Sequence, residues 1–280
     1  MTFSTRRIVA NASWYFAIGV IMLIVLIPLW VSIVAAFQPN SYIPSNAIHF
    51  WPKQWSFGNI IDAWKQGGLG RGYLVTIMLT VLNIIPNLFF STLLGYVFAK
   101  KRFWGKNTIF ILLLASMMIP GEITMIPNFI LYRYLGWINT IGPLVFPGGI
   151  INVFGIFLMR QFIQDIPDEL LDASKIDGCG SFRSYWNVIL PLCKPAIATL
   201  SILTFSGLWN DYMGPLIYLN NASLYTVQLH VADMVTQFSG TSFEGTLQQT
   251  ADIIAAAPIV IVFLCLQRYF IRGISLTGLK

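Results

Sequence analysis

Charge is scarce in this chain. Asp, Glu, Lys and Arg make up 10% of its 280 residues, where a soluble domain carries about a quarter. Too few ionised side chains are present to cover a soluble globule of this size. Histidine is rarer still, with His49 and His230 the only two. No G-x-S-x-G nucleophile elbow occurs, and no phosphate-binding loop. FWGKNT offers Gly105 and Lys106, but the loop's first glycine would fall at position 100, which is Lys100. These gaps exclude nucleophilic hydrolysis and ATP hydrolysis here, so the chain is expected not to be an enzyme and to have no cofactor or metal of its own. If ATP is used, another subunit must bind it. The three cysteines, Cys179, Cys193 and Cys265, match no zinc or redox spacing and read as small packing residues.

Apolar surface is what the chain has in excess. Hydrophobic residues make up 56%, and the mean hydropathy is +0.70. A helix needs about 20 apolar residues to cross the hydrocarbon core. Windows of that kind fall at 15–37, 73–99, 108–132, 142–163, 196–219 and 250–270. Pro86, Pro120 and Gly121 lie inside them, which membrane helices tolerate because their neighbours re-satisfy the freed backbone groups. The expected fold is all-α and polytopic, with six transmembrane helices. A short N-terminus (1–14) leads into a six-helix membrane domain (15–270), and a polar tail (271–280) follows.

Orientation follows from the cations. With the N-terminus inside, the cytoplasm receives Arg6, Arg7, Lys100, Lys101, Arg102, Lys106, Arg160, Lys175, Arg183, Lys194, Arg268, Arg272 and Lys280. Only Lys53, Lys65, Arg71 and Arg133 fall outside. Thirteen against four is a strong positive-inside bias, and it puts both termini in the cytoplasm. The net charge of +6 is then a topology signal. Nucleic acid is a poor partner, since no basic cluster comes with a soluble domain. The run after Arg6 and Arg7 is longer than the ~7–15 apolar residues of a signal peptide core, so it reads as an uncleaved first helix.

One polar stretch interrupts the apolar chain: DASKIDGCGSFRSYWNVILPLCKP, residues 172–195, inside a cytoplasmic loop expected over 164–194. Pro167 suits a first helical turn, and Asp168 and Glu169 complement the positive end of its dipole. Leu170, Leu171 and Ala173 supply an apolar side. Gly178 and Gly180 can take the left-handed conformation that stops a helix. Ser181 reads as an N-cap for a second helix, which Pro191 should end. Phe182, Tyr185, Trp186 and Ile189 should then form one exposed or interfacial apolar face. On pattern alone this helix-turn-helix is either a docking element for a partner or an amphipathic pair lying on lipid headgroups.

The same stretch resembles the EAA loop of membrane subunits of binding-protein-dependent ABC importers, whose pattern is E-A-A-x-x-D-G-A, five residues, then F-x-x-I-x-L-P. Asp172 stands for the Glu, Ala173 matches, and Ser174 replaces the second Ala. Asp177, Gly178, Leu190 and Pro191 match, while Cys179, Tyr185 and Val188 replace Ala, Phe and Ile. SMMIPGEITMIPNFILYRYLGWINTIGPLVFP, FSGLWNDYMGPLIYLNN and LQRYFIRGISLTGLK extend the likeness to the carbohydrate-uptake branch, on the pattern of the smaller permease subunit of the maltose transporter. The resemblance implies a heterodimer with a second, homologous permease in a bacterial cytoplasmic membrane. It also implies a dimer of P-loop ATPase subunits that bind ATP and Mg, and an extracellular solute-binding protein. The ATPase-coupling residues it implies are Asp172, Ala173, Ser174, Asp177, Gly178, Tyr185, Leu190 and Pro191. It further implies that the chain's end reaches between the two ATPases.

Polar residues inside the spans carry the remaining signal. A carboxylate there costs about 2.5–3.5 kcal/mol on insertion scales, so it normally faces an interior or a cavity. Glu122 and Asp211, with Asn83, Asn87, Asn152 and Asn210, are candidates to line a polar path for sugar hydroxyls, with Trp209 or Tyr212 stacking on a ring. The alternative is that they pin helices together by hydrogen bonds. A proton- or ion-coupled secondary transporter would use Glu122 or Asp211 as carriers, but such proteins usually show two similar halves, and none is evident. A membrane scaffold would have no need of buried carboxylates at several depths. The spans lack Lys and Arg in their central parts, so a neutral saccharide fits better than a doubly charged phosphate; the alternative substrate is glycerol phosphate or a related polyol.

Overall fold

The computed structural model describes residues 3–39, 50–52, 54–237 and 244–277. Among them the ordered elements are helices and no strand occurs. In chain order these are α1 (Phe3–Ala36), α2 (Gly58–Lys65), α3 (Leu69–Lys100), α4 (Lys106–Ser116), α5 (Gly121–Tyr134), α6 (Gly142–Gly149) and α7 (Val153–Gln164). They are followed by α8 (Asp168–Ile176), α9 (Ser181–Leu192), α10 (Lys194–Trp209), α11 (Met213–Tyr218), α12 (Val227–Gln237) and α13 (Glu244–Thr277). The chain forms two compact units, one of residues 1–70 with 231–256 and one of 71–230 with 257–280.

Three helices have stretches apolar and long enough to cross a membrane: Ser13–Ala36, Leu69–Lys100 and Thr246–Gln267. The windows expected as the third, fourth and fifth helices are each broken. α4 and α5 meet at 92°, because Pro120 takes an extended ψ of 136° and cannot donate a backbone hydrogen bond to continue the turn. The fourth window parts at 150–152, where Asn152 caps α7 by accepting the Gly155 N–H at 3.0 Å. The fifth ends its long helix at Trp209 and resumes as the short α11. α13 continues through the polar residues expected to leave the last helix, as far as Thr277, and Gly278, Leu279 and Lys280 lie outside the described residues.

In the first unit, Asn59 is fully buried and donates from Nδ2 to the carbonyls of Ala36 and Gln38 at 3.3 and 2.7 Å. That satisfies the end of α1, where Thr250 Oγ also donates to Ala36 O at 3.3 Å. In the second unit, α3 and α7 cross at close range over glycines. A Cβ on Gly95 would lie 2.7 Å from Met159 Cβ and 3.0 Å from Arg160 N, so only Gly allows this approach. Around the crossing Tyr96, Met159, Ile163, Tyr185, Ile189, Cys193 and Leu200 form one buried cluster. At a rise of ~1.5 Å per residue, α3 is longer than the ~30 Å hydrocarbon core. Its last turn therefore extends past the apolar stretch and meets α8 and α9.

Candidate functional site

Two sites emerge in the second unit, a helical hairpin and a polar cavity. The hairpin is α8 and α9. Pro167 precedes α8 at φ −57° and ψ 136°, and Asp168 and Glu169 occupy the first turn. α8 closes as the glycines require: Gly178 has φ +77°. Its N–H donates to Lys175 O at 3.0 Å, and the Cys179 N–H donates to Ser174 O at 2.9 Å, the two bonds of a Schellman turn. Gly180 is extended rather than left-handed, with φ −69° and ψ 166°. Ser181 is not a cap; its Oγ accepts the Lys101 ammonium at 2.7 Å.

α9 does not end at Pro191. The segment Tyr185–Ile189 is wound as a π-helix, with the Leu190 N–H donating to Tyr185 O five residues back. The wider turn accommodates the ring and missing N–H of Pro191, which would break an ordinary helix. The chain bends instead at Cys193, by 77°, and Pro195 occupies the first turn of α10 where its missing donor costs nothing.

The expected apolar face of α9 divides. Tyr185 and Ile189 are fully buried, whereas Phe182 and Trp186 are 60% and 50% exposed and stack with centroids 6.3 Å apart. Tyr185 OH shares a 2.7 Å hydrogen bond with Thr92 Oγ on α3, and burial pushes its phenol up from the ordinary value. Ser174 is also buried, its Oγ 2.8 Å from Ser184 Oγ, which staples α8 to α9. Of the residues assigned to coupling, Asp172, Ala173, Asp177, Gly178 and Pro191 are exposed, Leu190 is half-buried, and Ser174 and Tyr185 face inward. Ile176, 87% exposed, belongs to the surface patch and was missed, since it fits the apolar side of α8 in sequence as well as Leu171 does.

Charge braces the hairpin. Lys100 Nζ donates to Asp168 Oδ1 at 2.7 Å and to Ile166 O, closing the end of α7 as well. The hydrogen bond and charge of Lys100 hold the Asp168 carboxyl below the usual carboxylate range. Asp172 is engaged by Lys175 at 2.7 Å, which raises the lysine above its ordinary value. An incoming cation would compete with Lys175 for that carboxylate. Cys193 packs in the core beneath, where burial pushes its thiol up to about 12. Cys265, by contrast, is exposed, so packing is not its role within this chain.

The cavity, of about 280 Å³, lies among α3, α5, α6, α10 and α11 and is lined by Asn83, Asn87, Asn128, Tyr132, Thr204, Asp211 and Tyr218 with leucines between. An adjoining recess of about 550 Å³ shares Asn87, Thr204 and Leu208 with it and adds Asn152. Asn83 spends both amide protons on Leu79 O and Leu144 O, at 2.8 and 3.1 Å, so it pins α3 to α6 and also reaches the cavity. Its Oδ1 and the Thr204 Oγ are buried with no hydrogen-bond partner. Asp211 accepts the Gly214 N–H at 3.1 Å, and Asn152 donates to Asn87 Oδ1 at 3.3 Å. The wall offers acceptors and contains no Lys or Arg. It suits a ligand that brings hydroxyl donors.

Of the residues expected to line a path, the structure brings Asn83, Asn87 and Asp211 to the cavity and Asn152 to the adjoining recess. Trp209 is 2% exposed, clasped by Tyr73 and Phe205, so its ring is not free to stack on a sugar. Asn210 and Tyr212 are not part of the cavity lining, and Asn210 Oδ1 accepts Gln228 Nε2 at 3.4 Å. Glu122 is exposed in the first turn of α5, because the break at Pro120 turns it off the helix axis expected for it. Asn128, Tyr132, Thr204 and Tyr218 were missed; single polar residues in apolar helices carry no signal of which face they take.

An all-helical chain with apolar outer surfaces and a polar cavity among broken helices is a membrane transport component. The chain belongs to the family of binding-protein-dependent transport system inner membrane components, whose model matches residues 91–276. It is 33% identical over 277 residues to the arabinooligosaccharides transport system permease protein AraQ of Halalkalibacterium halodurans, covering 96% of each chain. It is 30% identical to the sn-glycerol-3-phosphate transport system permease protein UgpE of Yersinia pestis, covering 90% of this chain and 92% of that one. Among solved structures, a bacterial ABC transporter involved in import of the acidic polysaccharide alginate has the same fold. Its matching chain superposes with a TM-score of 0.84 at 22% identity, covering 96% of this chain and 99% of that one. The resemblance read from the EAA-like stretch is borne out at the level of family.

Proposed function

We propose that this chain is a six-span permease subunit of an ATP-driven importer in a bacterial cytoplasmic membrane. It pairs with a second permease and receives a saccharide or oligosaccharide from an extracellular binding protein. A dimer of separate P-loop subunits binds ATP and Mg and drives it through the α8–α9 hairpin. The observation that carries this reading is the hairpin itself. A Schellman turn at Gly178 presents Asp172, Ala173, Ile176 and Asp177 beside the Phe182–Trp186 stack. Its inner face is locked to α3 through Lys100 and Thr92, and to Lys101 directly after it. A push on that surface is therefore delivered directly to a long helix that lines the cavity. The thirteen-to-four distribution of cations supports a cytoplasmic hairpin and cytoplasmic termini.

For the solute, the acceptor-rich cavity favours a neutral polyhydroxylated molecule over glycerol phosphate, since a phosphate would meet the Asp211 carboxylate with no cation in the wall. The test is co-purification followed by reconstitution. A P-loop ATPase should come down with the tagged chain, and neutral oligosaccharide with its binding protein should stimulate ATP turnover. Recovery of the chain without any ATPase from its native membrane, or turnover stimulated by glycerol phosphate alone, would overturn the respective parts.

A further inference from the structure

At the turn between α3 and α4, positive charge exceeds the acid near it: Asp168 pairs with Lys100 and also feels the charge of Arg102. Lys100 is paired with Asp168, and among the described residues the only other ion pair is Lys175 with Asp172. Arg102, Lys106 and Arg160 have no such partner there. Two of the three are fixed in place. Lys106 Nζ donates to the carbonyls of Ala99 and Lys101 at 3.3 and 3.0 Å. Arg160 donates from Nε to Phe98 O at 3.3 Å and lies 4.1 Å from the centre of the Phe110 ring. Both Arg160 and Arg102 are close enough to Lys106 for their charges to repel it.

The charges adjoin a recess of about 330 Å³ lined by Arg102, Phe103, Gly105, Lys106, Asn107 and Thr108. α4 starts in it with no side chain capping its first N–H groups, so the helix dipole adds to the positive potential. An anion is the complementary ligand. Its further chemistry is narrowed by the surroundings. Trp104 is 98% exposed beside the recess, Phe103 is half-exposed, and Ile109, Ile111 and Leu112 of α4 are exposed just beyond it. Cations, aromatic rings and then an aliphatic face follow one another along a single helix start. That order matches the headgroup, interface and acyl region of a lipid leaflet.

We infer that the recess at the α3–α4 turn holds the phosphate of an anionic phospholipid, with the acyl chains along α4. Inorganic phosphate offers the same charged group but would leave the aliphatic face uncovered. Arg102 is exposed and makes no hydrogen bond among the described residues, so it is the cation free to close on the headgroup. The bound lipid would relieve the repulsion among Arg102, Lys106 and Arg160 beside the hairpin's anchors Lys100 and Lys101.

The full chain, purified in detergent, is titrated with phosphatidylglycerol, phosphatidylcholine or inorganic phosphate, and retention is read by native mass spectrometry. Phosphatidylglycerol should be retained in preference to phosphatidylcholine. Arg102→Gln should weaken its apparent affinity roughly fivefold, the share of one interfacial cation, while Arg133→Gln, an exposed arginine on α5, should leave it unchanged. Equal retention by wild type and Arg102→Gln overturns the assignment. So does displacement of phosphatidylglycerol by inorganic phosphate at comparable concentration, which would make the recess a site for a free anion.

Discussion

Gly178 adopts φ +77° with open space where a Cβ would stand. An L-residue there strains the backbone by about 1–2 kcal/mol but meets nothing in its own chain. Gly178→Asp should therefore lower the melting temperature modestly while abolishing most solute uptake and solute-stimulated ATP turnover, measured together in proteoliposomes. Uptake near wild type would remove the hairpin from the coupling path. Gly95 poses the opposite problem: its φ is ordinary, but a Cβ would collide with Met159 and the Arg160 backbone. Gly95→Ala should cost about 1–3 kcal/mol by overpacking, read as a drop in thermal stability of the detergent-solubilised protein. If stability is unchanged, α3 and α7 are not packed as closely as described. Thr204 has a third character, a buried hydroxyl with no hydrogen-bond partner. Thr204→Val should hold stability or raise it by about 1 kcal/mol and still reduce uptake, a pairing that a purely structural hydroxyl would not produce.

At the scale of elements, the hairpin is set by features of different kinds. Its first helix ends where glycine allows, by local backbone chemistry. Its second helix continues through Pro191 because a π turn makes room for the ring, and that turn is stabilised by what Tyr185 gains beneath it, a hydrogen bond to Thr92 and a ring contact with Tyr96. Lys100 then anchors the start of α8 through Asp168. Since the Asp168 carboxyl is held below its ordinary value of 3.8, its contribution is present above that value. It is lost as pH falls through the lower, folded value. Asp168→Asn should thus melt below wild type at neutral pH, and the two should converge as pH drops below about 4. A constant gap at all pH values would show that geometry, not charge, sets the anchor.

For the whole molecule, the distribution of cations and the placement of the hairpin make one claim about sidedness. Single cysteines introduced in 220–237 should be labelled by an impermeant reagent from outside, and one at Lys101 should be spared in intact cells. The reverse pattern would invert the orientation and move the hairpin away from any cytoplasmic ATPase. The polar tail falls at the same scale. The described residues of α13 run to Thr277, and removing Leu279 and Lys280 takes away two of the three residues after it. If the tail contacts the ATPases, the truncation should lower transport-linked ATP turnover while the complex still assembles.

Local chemistry was readable from the residues alone. Composition made this a membrane protein, the windows at 15–37, 73–99 and 250–270 located its three long helices, and Pro167, Asp168 and Gly178 marked the limits of α8. Those features depend on side-chain transfer and backbone conformation within a few residues of one another, so no distant contact has to be known. Tertiary structure alone decided which faces turn inward. It buried Ser174 and Tyr185, exposed Phe182, Trp186 and Ile176, sent Glu122 outward, and brought Asn83, Asn128, Thr204 and Asp211 to one cavity. The physical reason is that helices in lipid are apolar on every side, so hydrophobic periodicity does not mark a packing face. That choice falls to glycines such as Gly95 and to polar pairs such as Tyr185 with Thr92, whose partners are far away in the chain.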